Sequence, residues 1–578
     1  MSVCLDTIPE ALLFEICNYL DIFDLVSLSE VNKALRSISN SRTSFWLYTL
    51  QECGLFLPVA SYRPLESFSA AELSLAAHRA AISERNITSP APKLLSYRYI
   101  PWPFEGSPGV PLEDVEWERP EHAIRMHLSH YNGEYMFAVS TNNILRIIHL
   151  RSGKVALLWT DDQVAGGFPQ DTYPSWAVEF REENEAVMVM NCRLLDGNEE
   201  VDGIRVMNVH FKPKECLATA ETIAIYNTGG MPSHLDLAGG YVIATIPASG
   251  LLPDLGNVLM IRIRDMKKMI LPPLYPSMRI AAFEEYFIAV GVSPQAQIYV
   301  QVVGYPQGDN SDTNTSEDQS KPPIALHSYH IPFSGQVFDG TFLFACQICH
   351  IYTGSPKSPI KVWLRPGRSG SWSIFSVPFD LKDLRSMASR HLTNRATTSE
   401  SLVRNLQVNE VDQRVLEERG LVHWAAPTIS GRRYIWWRQV ENELPPPEPV
   451  EESSTVDPPE TTGTSEGNEG GISPEDLPFP PVDLETFQFY VSVTDNLASI
   501  DEIEAAFPYG VFDFDIDEEY EEGSPISKQL AAVRRMEIPR KLSCRTSRIY
   551  MFVMEEWSGT VLVQCFSGDL WVLRYGKA

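Results

Sequence analysis

The sequence predicts an α+β multidomain chain: a small all-α module first, then an all-β domain of about seven repeated units laid out as a β-propeller. Three observations predict it. Through the first fifty positions apolar residues recur at helical spacing. From about Lys93 the pattern turns to short β-rich runs bounded by turn residues. Those runs fall into groups of three or four that repeat every ~40–50 residues, the spacing of propeller blades. The expected divisions are a helical module at 1–55, a connecting helix at 56–92 and the β domain at 93–578.

Thr7-Ile8-Pro9-Glu10 has the T-x-x-E spacing of a capping box, with Pro where a missing N–H costs little. Leu12, Leu13, Ile16 and Leu20 then make one apolar stripe. Asp24 is placed to cap a second short helix bearing Leu25, Leu28 and Val31. A third runs through Ser44-Phe45-Trp46-Leu47-Tyr48 toward Gly54. Three short helices bury little surface by themselves. Their apolar side chains also outnumber what so small a bundle hides, which points to a docking module. A helical cap packed only on its own chain is the competing reading.

Ile8-Pro9-Glu10-Ala11-Leu12-Leu13, Ile16, Tyr19-Leu20-Asp21, Asp24-Leu25-Val26, Leu28-Ser29 and Val31-Asn32-Lys33 share one register, with Phe45-Trp46 beyond them. That register resembles an F-box. Ala11, Cys17, Ile22 and Leu35 depart from it, standing where the family usually has Glu, Leu, Pro and Trp. The resemblance covers about the first fifty residues. It implies docking to a Skp-type adaptor and, through the adaptor, to the cullin scaffold of a ubiquitin ligase. It also implies an adaptor interface drawn from Ile8, Pro9, Leu12, Leu13, Ile16, Leu20, Leu25, Leu28 and Val31, some of which must fill the module's own core.

Ser67 to Asn86 is Ala-rich and free of Gly and Pro, a good helix with Ser67 or Ser69 as its cap. A stiff helix there sets the angle between the module and the β domain. The first β unit reads Tyr135 to Val139, Ile144 to His149 and Val155 to Trp159. Four more succeed it, beginning near Trp176, Leu235, Arg279 and Val337. Leu421 to Trp437 with Phe487 to Val493 supplies another across an insertion, and Ile549 to Arg574 the last. A strand near Leu94 to Ile100 is placed to pair with the last unit and close a ring. The pattern resembles a WD40-like propeller, although Trp-Asp dipeptides at blade ends are absent. A pair of β-sandwiches is the alternative architecture.

The formal net charge is −28, yet Glu441–Glu522 holds 24 acidic residues and no Lys or Arg. The rest of the chain is nearly neutral. Residues 441–481 are Pro-rich and acidic, a composition that cannot offset the entropy of ordering, so disorder is expected. An acidic loop at 501–522 interleaves aromatics and precedes a basic stretch, Lys528 to Arg548. That juxtaposition suggests a pseudo-substrate lying on a basic propeller face; a solvated loop is the plainer reading. Neither a basic stripe for nucleic acid nor a polybasic membrane patch is evident. No run reaches the ~18 apolar residues of a membrane span. The N-terminus lacks a signal-peptide pattern, and the nine Cys are scattered, so a cytoplasmic or nuclear, reducing location is expected.

Cys346-Gln347-Ile348-Cys349-His350 matches C-x-x-C-H but falls inside a predicted strand, with no second ligand pair for zinc. His127 and His130 lack the H-E-x-x-H context. No nucleophile elbow, P-loop or dinucleotide fingerprint occurs, so no catalytic residue, cofactor or metal is assigned. The expected function is a non-catalytic ligase subunit whose propeller holds a client protein. An interaction scaffold without a ubiquitin role and a propeller hydrolase fused to a helical cap are the alternatives.

Overall fold

The computed structural model describes residues 8–52 and 63–101 and, between positions 126 and 576, most of the strands and helices with the turns adjoining them. Helix α1 (Glu10–Cys17) has Pro9 as its N-cap, and the Pro9 carbonyl accepts from the Leu12 and Leu13 N–H groups at 2.9 and 3.1 Å. No side chain caps it; the capping box expected at Thr7 falls on a residue outside those described. α2 (Ile22–Glu30) is capped by Asp21, which accepts from the Asp24 N–H at 2.8 Å. The cap thus precedes the expected Asp24 by one helical turn.

Next comes α3 (Lys33–Ser41), a helix the apolar spacing did not announce. Asn32 caps it, accepting from the Leu35 N–H at 2.8 Å, and its buried residues are Leu35 and Ser39. So sparse an apolar face leaves little periodic signal. A 3₁₀ turn (Thr43–Phe45) leads to α4 (Leu47–Glu52). α5 (Ala70–Ile87) starts with a full capping box: Ser69 Oγ accepts from the Glu72 N–H at 3.3 Å, and the Glu72 carboxylate accepts from the Ser69 N–H at 2.7 Å.

These helices share one core. Leu13, Cys17, Leu25, Val26, Leu35, Phe45 and Trp46 pack with Leu73, Ala77, Ala80 and Ala81 of α5. The small side chains of α5 let α2 and α3 approach closely. Trp46 Nε1 donates to the Ser39 carbonyl at 2.7 Å, and Thr49 Oγ1 donates to the Cys17 carbonyl at 2.9 Å, which satisfies both buried groups.

Strand β1 (Ser96–Ile100) comes after α5. The first blade is β2 (Met126–Leu128), β3 (Tyr135–Val139), β4 (Leu145–His149) and β5 (Lys154–Trp159). The second is β6 (Trp176–Glu182), β7 (Glu185–Asp196), β8 (Glu199–Lys212) and β9 (Leu217–Asn227). The third is β10 (His234–Ala238), β11 (Tyr241–Pro247), β12 (Gly256–Arg262) and β13 (Lys267–Met269). The fourth has β14 (Arg279–Ala282), β15 (Tyr286–Val292), β16 (Gln297–Gly304) and β17 (Ala325–Pro332).

The fifth runs β18 (Phe344–Cys349), β19 (Ile360–Pro366) and β20 (Trp372–Val377), then leaves its sheet through α6 (Leu381–Thr393) and β21 (Leu402–Gln407) and returns as β22 (Asp412–Leu416). During that excursion β21 pairs in parallel with β17, Ala325 opposite Leu402, so the fourth blade carries a fifth strand donated by its neighbour. The spacing of β-rich runs does not reveal this strap. The sixth blade is β23 (Val422–Pro427), β24 (Arg433–Val440), β25 (Thr486–Val493) and β26 (Arg534–Met536). β27 (Ile549–Glu555), β28 (Thr560–Cys565) and β29 (Leu570–Arg574) complete the series.

The described residues thus form seven antiparallel-based sheets. β1 pairs with β29, Ile100 opposite Leu570, so the strand expected to close the ring does so. Apolar cores lie between consecutive blades rather than between two large sheets. Phe137 and Trp176 share one across blades one and two. Val206 and Leu259 share one across two and three, and Val300 and Phe375 another across four and five. Ile148 and Ala138 of the first blade meet Leu562 and Val572 of the last. That last contact makes the arrangement a closed propeller and removes the β-sandwich alternative. Arg98 of β1 reinforces the seam by donating to the carbonyls of Arg151 and Ser152 in the first blade.

The expected disordered insertion at 441–481, the acidic loop at 501–522 and the opening strand near Val337 lie outside the described residues. Cys346 and Cys349 fall in β18, as the sequence suggested. Among the described residues no helix is long and apolar enough to cross a membrane.

Candidate docking surface and its link to the propeller

The nine residues assigned to an adaptor interface divide by burial. Leu13 and Leu25 are 1% and 0% exposed and belong to the helical core. Leu20 and Leu28 are half-buried against that core, and Ile8 is half-buried. Pro9 is exposed, as are Leu12 at 58%, Ile16 at 39% and Val31 at 62%. Tyr19, at 84%, is more exposed than Leu12, Ile16 or Val31, and the interface assignment omitted it.

Leu12, Ile16 and Tyr19 stand at i, i+4 and i+7, which places them in one row along α1 and its C-terminal turn. Leu13 and Cys17 form a second row, about 100° round the helix, and are buried against the core. The eight-residue helix thus turns apolar side chains both to its own core and to solvent. Glu10 ties the start of α1 to Arg42, just past α3, at 3.1 Å. The Cys17 thiol is pushed up to about 11 by burial, which keeps it protonated near neutral pH.

α5 belongs to two cores at once. Its first three turns lie in the helical core, while Ile87 at its end packs with Ile435, Phe489 and Trp571 of the sixth and seventh blades. Asn86 Nδ2 donates to the Tyr575 carbonyl at 2.6 Å and to the Lys93 carbonyl at 2.7 Å, and Asn86 Oδ1 accepts from the Lys93 N–H at 2.9 Å. Asn86 opens a sequence of glycosylation type, and its side chain serves here as a joint. Arg433 of β24, its side chain 4% exposed, pairs with Glu84 of α5 and with Glu556 of the last blade, the latter at 3.7 Å. Gly559 holds a left-handed φ of +59° beside this joint; a Cβ there would come within 2.5 Å of the Gly576 nitrogen.

Inside the propeller, carboxylates join neighbouring blades. Glu179 of β6 accepts from the Gly239 N–H at 2.7 Å, and Asp236 of β10 accepts from the Ala282 N–H at 2.8 Å. Burial raises the Glu179 carboxyl above its ordinary value. Both groups are occupied as structural acceptors. Among the described residues no group of three or more His, Cys, Asp or Glu is placed to hold a metal ion.

The F-box domain model matches residues 5–47, so the helical module contains an F-box. F-box domains in general bind Skp-type adaptors. The solved structures similar to this chain include the WD40 domain of SCAP from fission yeast, at 8% identity and a TM-score of 0.38, covering 79% of this chain and 85% of that one. They also include the β-propeller domain of Cps50 (Swd1) from Myceliophteria thermophila, at 7% identity and a TM-score of 0.36, covering 78% and 96%. No curated protein matches the chain in sequence.

Proposed function

We propose that the chain is the client-recognition subunit of a Skp–cullin–F-box ubiquitin ligase, acting in the cytosol or nucleus. The observation that carries this reading is the row Leu12, Ile16 and Tyr19, uncovered within a segment that matches the F-box. Burying such side chains contributes about 1.5–3 kcal/mol each before the cost of association. The propeller would hold a client protein while the F-box tethers it near a ubiquitin-charged enzyme, so the contribution is effective concentration rather than bond chemistry by this chain.

Co-purification of the full chain with a Skp-type adaptor and a cullin tests it. Leu12→Asp together with Ile16→Asp should weaken adaptor capture at least ~30-fold, about 2 kcal/mol, while the near-ultraviolet circular dichroism of the propeller stays native. Undiminished capture would remove this interface. Capture of adaptor without cullin would favour a scaffold with no ubiquitin role, and no capture at all would end the F-box reading of function.

A further inference from the structure

The joint between the F-box module and the propeller brings together side chains far apart in sequence. Arg433 lies on β24 of the sixth blade, Glu84 near the end of α5, and Glu556 beyond β27 of the seventh blade. All three side chains are largely buried, at 4%, 13% and 5% exposure for Arg433, Glu84 and Glu556. A guanidinium taken out of water is costly unless its hydrogens point at acceptors, so it is stable over a narrow range of geometries. Apolar packing alone tolerates sliding; a guanidinium hydrogen-bonded to Glu84 and ion-paired with Glu556 resists it.

The surroundings add to this. Ile87 seats the end of α5 in the blade core, and Asn86 bonds the Tyr575 carbonyl on the ring-closing side. The helix is therefore held at three places along its last turn: an apolar plug, an amide joint and an ion pair that reaches two blades. The other end of the same helix is fixed in the F-box core by Leu73 and Ala77.

We propose that Arg433 is a positioning residue that holds the F-box and the propeller in one orientation and so sets where a held client is presented. This rests on the receptor reading for its purpose, though the fixed orientation is measurable without it. Removing the guanidinium takes the shared cation away from the Glu84 and Glu556 carboxylates, and α5 gains freedom to swing against the propeller.

The test uses the full chain with unnatural-amino-acid spin labels at Ser37 of α3 and Lys267 of β13, both exposed, and reads the distance distribution by pulsed electron resonance. The native chain should give a single narrow distance, with or without adaptor. Arg433→Met should lose that narrow distance while adaptor capture stays native. Arg433→Lys, which cannot fork between two acceptors, should restore it only in part. Should Arg433→Met fail to fold, Glu84→Gln decides instead, since it removes one arm of the pair from the helix side. A narrow distance unchanged in a folded Arg433→Met or in Glu84→Gln would overturn the proposal, as would a broad distribution in the native chain. Failure of adaptor capture by the native chain, with the narrow distance intact, would count against the receptor reading alone.

Discussion

The helical module and the propeller treat apolar surface in opposite ways. Of the eleven large apolar side chains exposed among the described residues, seven lie between Leu12 and Ile82 and four in the propeller. The propeller gives each blade two neighbours, and ring closure supplies the last pair, so its apolar faces are covered by repetition. A bundle of short helices has no such closure. Once Leu13, Leu25 and Trp46 have filled its centre, Leu12, Ile16 and Tyr19 remain outside. Among the described residues the small module therefore keeps a row of apolar side chains uncovered, whereas the propeller's lie mostly between its own blades.

The sharpest way to break that contrast uses adjacent residues. Leu13→Asp places a carboxylate in an apolar core and should cost about 4 kcal/mol or more, seen as loss of amide protection across α1 to α3. Leu12→Asp, one position away, should change stability by no more than ~0.5 kcal/mol, as should Ile225→Asp on β9. If Leu12→Asp unfolded the module as Leu13→Asp does, the division of α1 into an inner and an outer row would be wrong.

A smaller effect concerns α5, the element both regions share. Ser69→Ala removes the N-cap and should cost about 1 kcal/mol, read as faster exchange in the first turn of α5 with its last turn unaffected. Equal acceleration at both ends would mean that the two cores do not hold the helix independently.

The least effect is one of pH. The Ser69 N–H and hydroxyl hold the Glu72 carboxyl below its ordinary value of about 4.3. Because the folded-state value is the lower one, the box contributes above the unfolded value and fades as pH falls through the folded one. Protection of the first turn of α5 should therefore decline on acidification below about pH 4 in the native chain, and Glu72→Gln should lack that decline. Identical titrations would remove Glu72 from the account.

Much of the ring was legible because blade repetition imposes a period, and Leu94 to Ile100 read as a lone strand needing a partner. The F-box register was legible because its apolar positions recur together. Which member of the pair Leu12 and Leu13 turns inward was not, since both fit the stripe and only the position of the neighbouring helices decides. α3 escaped notice with few apolar residues to mark it. The α6–β21 strap escaped because its pairing partner β17 belongs to another blade. Nothing local relates Glu84 to Arg433, which meet across 349 positions.

The closing strand has a consequence for biosynthesis. Ile100 pairs with Leu570, so β1 leaves the ribosome long before its partner is made. Domains fold as they emerge, and the F-box helices need nothing from the distal chain to form their first contacts. The exposed row Leu12, Ile16 and Tyr19 can thus form while the ring is still open. A translation product that stopped before β29 would carry the tether without a closed propeller. On the proposed receptor reading, such a product would compete for adaptor and deliver nothing, which would make full-length synthesis itself a condition of the chain's use.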